Sequence, residues 1–162
     1  VPPAAVGTAV VVELGMALCK PISDQMLGGH VGAESRPIKF WVVEFSGVDS
    51  LCETEGAEAT TAAVEHLVTV AQRAANADDI TLLGTDLNAD GGKLILVSGA
   101  PTRVGEDETR VLSAVRSILD SGGRLNLRAG VNNGRVFAGN YGTNYRRTYA
   151  IAGDRGKLDA RV

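Results

Sequence analysis

Two cations near the end of this 162-residue chain, Lys157 and Arg161, stand four residues apart, so on a helix they share one face. Such a pair can meet a polyphosphate, or it can be a solvated basic face. Glu44 closes an apolar run and leads into Ser46-Gly47-Val48, a tight strand-to-helix turn. Asp86, Asn88 and Asp90 fall within Asp86–Gly92, whose Asn, Asp and Gly-Gly content marks a turn. The densest pattern runs from Leu127 to Gly142 and again from Arg146 to Asp154, rich in glycine, asparagine and arginine. Other chemistries lack their residues. No Ser-His-Asp or Cys-His arrangement is visible, and His30 and His66 stand without a second ligand at metal spacing. No glycine-rich run ends in Gly-Lys-Ser/Thr, so there is no P-loop. Cys19 and Cys52 form neither a C-x-x-C pair nor a disulfide framework, and a reducing cytoplasm is the default setting.

The elements that must position these residues are legible in part. Ile38–Phe45 is apolar, β-branched and aromatic, and is predicted to be a buried strand. Asp49 or Ser50 is expected to cap a long helix to about Ala75, with Ala59, Ala63, Leu67 and Val70 on its apolar face and His66 on its surface. Ile80–Leu83 and Lys93–Val97 form a hairpin around the Asp86–Gly92 turn. Glu106–Leu119 is a second helix with Val111, Leu112, Val115 and Ile118 inward, ended by Ser121-Gly122-Gly123. Leu125–Val131 and Arg135–Ala138 read as strands around an Asn133-Gly134 turn, a strong hairpin signal. Thr148–Ala152 is a last strand, and a helix is expected from Asp154. The order β-α-β-β-α-β with an extra hairpin predicts a ferredoxin-like α+β fold with helices on one face of the sheet.

Residues 1–36, punctuated by Pro2-Pro3, Pro21, Gly28-Gly29 and Pro37, read as a lead-in with a helix over Ala4–Leu18; the domain spans 37–162. The Ala4–Leu18 run is shorter than the roughly 20 residues of a membrane span. The last strands of the domain are expected to be missing beyond Val162. A formal charge of −3 and 4% aromatic residues argue against a nucleic-acid surface, which needs a basic patch or stacking platforms. A small phosphate ligand stays open, because backbone N–H groups bind phosphate without net positive charge.

The Leu127–Gly142 and Arg146–Asp154 segments resemble the R-x-G-[IV]-[NH]-x-G-x-[VI]-x-A-G and R-R-x-Y-[TD]-[VI]-x-G-D runs of class III nucleotide cyclase catalytic domains. Phe45-Ser46-Gly47, Gly91 through Pro101 with its Gly99-Ala100-Pro101 end, and Asp107-Glu108-Thr109-Arg110 resemble further segments of that family in the same order. The likeness covers roughly Pro37 to Val162 and is nearest to the second half of tandem soluble-type cyclases. It implies the cyclase fold, and it implies a dimer with another cyclase half sharing one active site. There a ribose 3′-OH attacks the α-phosphate of a nucleoside triphosphate, ATP or GTP, to give cyclic nucleotide and pyrophosphate, with Mg²⁺ or Mn²⁺ held by two carboxylates.

By the same resemblance Glu44 stands at the first metal carboxylate. Gly92, which has no ligating side chain, stands at the second, with Asp90 two residues earlier. Phe45, Ser46 and Gly47 supply the backbone that cradles terminal phosphates at a helix N-terminus. Asn88 and Ala150 stand at the two base-selecting positions, and Lys157 and Arg161 at the transition-state pair. A degenerate half that pairs with an active half and regulates it is therefore expected, and the isolated chain is expected to be inactive. A competent half-site and a non-catalytic sensory or scaffold module are the alternatives on this fold.

Overall fold

The computed structural model describes Ile22 and residues 34–101, 107–121, 123–143 and 146–152. Along them run β1 (Glu34–Ser46), α1 (Val48–Ala77), β2 (Thr81–Leu87), β3 (Gly91–Ser98), α2 (Asp107–Asp120), β4 (Asn126–Thr143) and β5 (Arg146–Ala152). The strands form one antiparallel sheet in the order β2-β3-β1-β4-β5. The first four make the expected ferredoxin-like βαββαβ arrangement, and β5 adds one strand beside β4.

β1 is central, and its residues alternate between the two faces as the strand period requires. Trp41, Val43 and Phe45 pack beneath the helices with Leu94 and Leu96 of β3. Ile38 and Phe40 point to the other face, where they meet Val97, Ala100, Val136, Ala138 and Tyr149. Both faces of β1 are thus covered along most of its length, which is why Ile38–Phe45 reads as an almost unbroken apolar run. Helix α1 packs through Leu51 and Leu67 and the smaller Thr60, Ala63, Ala71 and Ala75, and α2 through Val111, Ala114, Val115 and Ile118. Alanines at the contact let the helices lie close to the sheet and to each other. Arg110 of α2 donates to the carbonyl oxygen of Asp78 at the end of α1, tying the two helices at one end. Thr81, almost fully buried, donates its hydroxyl to the carbonyl oxygen of Ala100 at 2.7 Å.

Five local expectations need correction. The Asn133-Gly134 hairpin does not form: β4 runs unbroken from Asn126 to Thr143, with Gly134 opposite Ile38 and Asn133 opposite Lys39. A two-residue type I′ turn needs positive φ at both central residues, and Gly134 has none. The 13-residue β1 offers a continuous ladder to both halves of β4, and that long-range pairing overrides the local signal. The cap of α1 is neither Asp49 nor Ser50 but Gly47, two residues earlier. The inward face of α1 adds Ala71 and Ala75 to Ala63, Leu67 and the partly buried Val70 and leaves out Ala59, and Leu112 of α2 is 55% exposed, one position off the 111/115/118 stripe. Helix α1 also breaks its helical geometry at Gly56, where φ is 88°. β2 is longer than expected, reaching Leu87, with a register shift between Leu82 and Gly84.

The lead-in helix expected over Ala4–Leu18, and the helix expected from Asp154 with Lys157 and Arg161, lie outside the described residues. No helix among the described residues is long and apolar enough to cross a membrane.

Candidate functional site

The site is built on the register of the three inner strands. Glu44 of β1 is paired with Lys93 of β3 on one side and with Arg128 of β4 on the other. Val43, Phe45, Leu94, Leu127 and Ala129 all pack toward the helices, so strand alternation sends Glu44, Lys93 and Arg128 to the opposite face. A carboxylate thus sits between two cations across adjacent ladders. Lys93 Nζ lies 3.9 Å from Glu44 Oε1, each side chain about one-third exposed at 34%, so the pair is loose and screened by solvent. These three residues, with Phe45, Ser46, Asn88, Asp90, Gly91, Gly92 and Asn126, line a polar cleft of about 260 Å³.

The β2–β3 turn folds over the start of α1 and forms one wall of the cleft. Asn88 organises that turn: its Oδ1 accepts from the backbone N–H of Asp90 at 3.2 Å and of Gly91 at 3.1 Å, and its own N–H donates to the Gly91 carbonyl at 2.9 Å. This is an Asx-type closure, with the asparagine standing in for a backbone turn. Asp90 then reaches the helix. Its carbonyl oxygen accepts from Val48 N–H at 3.0 Å, and its Oδ1 accepts from Gly47 N–H at 3.3 Å. Gly47 is left-handed (φ 94°) and has no side chain with which to cap, so the first amides of α1 find their acceptors on a residue 43 positions away. Two amides at the expected phosphate cradle, those of Gly47 and Val48, are therefore engaged from within the chain.

Gly91 and Gly92 are required by close approach. A Cβ on Gly91 would come within 3.0 Å of the Phe45 carbonyl oxygen, and one on Gly92 within 3.0 Å of both the Asp86 carbonyl oxygen and the Phe45 ring. Position 92 is thus closed to an aspartate in this packing.

Of the residues singled out in the sequence, Glu44, Phe45, Ser46 and Asn88 come together in the cleft, and Gly47 lies directly behind it. The Phe45 side chain belongs to the helix-side core, so only its backbone faces the cleft. Asn88 is present through a turn in which its carbonyl oxygen is already engaged. Ala150 is not brought to the cleft: it lies on β5, two strands from β1, where it pairs with Gly139 of β4, between Tyr149 and Ile151, which pack on the face away from the helices. Sequence reasoning missed Lys93, Asn126 and Arg128 as cleft residues. Arg128 stood in the most conspicuous motif of the chain, yet only the β1–β4 register places it beside Glu44.

A pair of divalent ions does not fit the residues present. Glu44 is flanked by two cations, position 92 has no room for a side chain, and Asp90 is turned to the α1 amides. Among the described residues no group of three or more His, Cys, Asp and Glu side chains is placed to hold a metal.

No family model matches the sequence, and no curated protein does either. Solved structures do match. The adenylyl cyclase CyaB from P. aeruginosa aligns with 81% of this chain and 72% of its own, at a TM-score of 0.63 and 21% identity. The guanylyl cyclase Cya2 aligns with 81% of this chain and 71% of its own, at a TM-score of 0.61 and 22% identity. The guanylate cyclase domain of RhGC from Catenaria anguillulae, solved in complex with GTP, aligns with 78% of this chain and 72% of its own, at a TM-score of 0.59 and 18% identity. At such identities the likeness is one of architecture: the chain has the fold of adenylyl and guanylyl cyclase catalytic domains.

Proposed function

We propose that this chain is a degenerate nucleotide cyclase homology domain that pairs with another cyclase half and regulates its conversion of ATP to cyclic AMP and pyrophosphate. The fold and the GTP complex of the Catenaria domain support a nucleoside triphosphate as the ligand class. The observation that carries the regulatory reading is the surroundings of Glu44. Its carboxylate lies between Lys93 and Arg128, and packing closes position 92 to a second acid. Magnesium demands near-ideal octahedral oxygen coordination, and a lone carboxylate beside two cations does not supply it. No step of phosphoryl chemistry is assigned to this chain alone. Its role is to complete the interface of an active half and to bias that half's turnover.

Mixing tests the proposal. The purified chain is expected to form no cyclic nucleotide from ATP or GTP with Mg²⁺ or Mn²⁺, and to change the rate of an active cyclase half when added to it. Cyclic nucleotide made by the chain alone would overturn the reading. An acceleration that Arg161→Ala abolishes would instead identify a competent half-site.

A further inference from the structure

The reverse face of the sheet is charged at one end and apolar at the other. Glu44, Lys93 and Arg128 stand at the cleft end. Toward the other end Ile38 and Phe40 of β1, Val97 of β3, Val136 and Ala138 of β4 and Tyr149 of β5 form the second cluster, each at most 7% exposed. An antiparallel sheet face left to water carries polar residues, so an apolar one needs a cover. Both described helices pack on the opposite face. Ile22 supplies cover from outside the sheet. It is the one described residue before Glu34, and at 9% exposed it belongs to this cluster. Phe40 and Glu44 point the same way on β1 and stand four residues apart, roughly 13 Å at the rise of a strand. A standard protein–protein interface buries roughly 800 Å² on each partner, a patch about 30 Å across. A domain that closes over the cleft therefore reaches the place that Ile22 occupies.

We propose that Ile22 is a cap held in cis, and that a second cyclase-fold domain docks on this face only after Ile22 is released. The cap names the regulation of the pairing described above and rests on that reading. It acts by competition: pairing weakens by the factor through which the capped state is favoured over the open one. Burial of one isoleucine side chain sets that factor at about tenfold or more. Release uncovers Ile38, Phe40 and Tyr149, and apolar side chains of the partner take the place of the one removed. An input that draws Ile22 away from the sheet then favours pairing without touching the cleft.

Sedimentation equilibrium of the full chain tests this. A second copy of the chain is the probe, because two copies carry the same face and can meet about a two-fold axis. Ile22→Ser should dimerise about tenfold more tightly than the unaltered chain. In that background Ile151→Lys, which sets a charge beside the cluster, should abolish the gain. Leu112→Lys, on the exposed flank of α2, should leave the gain intact. An Ile22→Ser chain that dimerises no better than the unaltered one overturns the proposal. So does association that grows beyond a dimer, or a gain that Leu112→Lys removes. A thermal melt accompanies each variant. Where Ile22→Ser does not melt cooperatively, Ile22→Ala takes its place with the same direction and a smaller gain. If Ile22→Ser dimerises more tightly but neither form changes an active half's turnover, the cap stands and the regulatory reading fails. If both forms change that turnover alike and Ile22→Ser gains nothing, the cap fails and the regulatory reading stands.

Discussion

At the scale of single residues, side chains and glycines divide the work at the cleft. Gly92 has no room for a Cβ, so Gly92→Asp, which restores the acid of the family pattern, is expected to destabilise the fold by about 2 kcal/mol or more rather than create a metal site. Urea unfolding with and without Mg²⁺ measures both effects, and a variant stabilised by Mg²⁺ would count against the packing explanation. Asn88→Ala removes the acceptor of two backbone amides, and about 1–2 kcal/mol of stability should go with it by the same measurement. Away from the cleft, Lys39 donates to Glu108, and that hydrogen bond and charge hold the Glu108 carboxyl below its ordinary value of 4.5. A depressed folded-state value means a contribution present above 4.5 and lost as pH falls through the lower folded value. Glu108 is exposed at the surface, so the effect is small. The melting-temperature gap between the unaltered chain and Glu108→Gln should therefore exist at neutral pH and close in acid. A gap that is the same at both pH values would exclude the ion pair as its source.

At the scale of elements, β4 shows long-range pairing overruling local propensity. Asn133-Gly134 has the residue types of a type I′ turn, but the ladder to β1 runs through it without a break. The consequence is specific. Open space surrounds the Cβ position of Gly134 and its φ is not positive, so Gly134→Thr is expected to be neutral or to stabilise by about 0.5–1 kcal/mol, as a β-branched residue does within a strand. A hairpin there would make the same substitution clearly destabilising. Gly56 behaves oppositely. Space is open around it too, but its φ of 88° strains any other residue, so Gly56→Ala should cost about 1 kcal/mol by straightening or straining the α1 break. Chemical denaturation of the two variants side by side is the check.

At the scale of the whole molecule, the sheet has one helix-covered core and a second cluster on the reverse face, with the cleft on that reverse face at the β1–α1 junction. Leu96 is fully buried in the helix-side core, and Leu96→Ala should destabilise the domain by about 3 kcal/mol in urea unfolding; a loss under about 1 kcal/mol would count against that packing.

What the chain determined by itself was periodic and local. The buried strand at Ile38–Phe45, the two helices, the β2–β3 turn and the βαββαβ order follow from apolar spacing and turn residues, which act over a few positions. The motifs placed Glu44, Ser46 and Asn88 in one site before any coordinates. The partners of Glu44 were beyond that reach. Lys93 lies 49 positions after it and Arg128 lies 84 after it, and only strand register brings all three to one face. The same holds for Asp90 on the α1 amides and for the closed space at Gly92, because a turn packed over a helix start is fixed by tertiary contact and leaves no periodic trace. Tertiary structure alone therefore decided which charges face one another in the cleft.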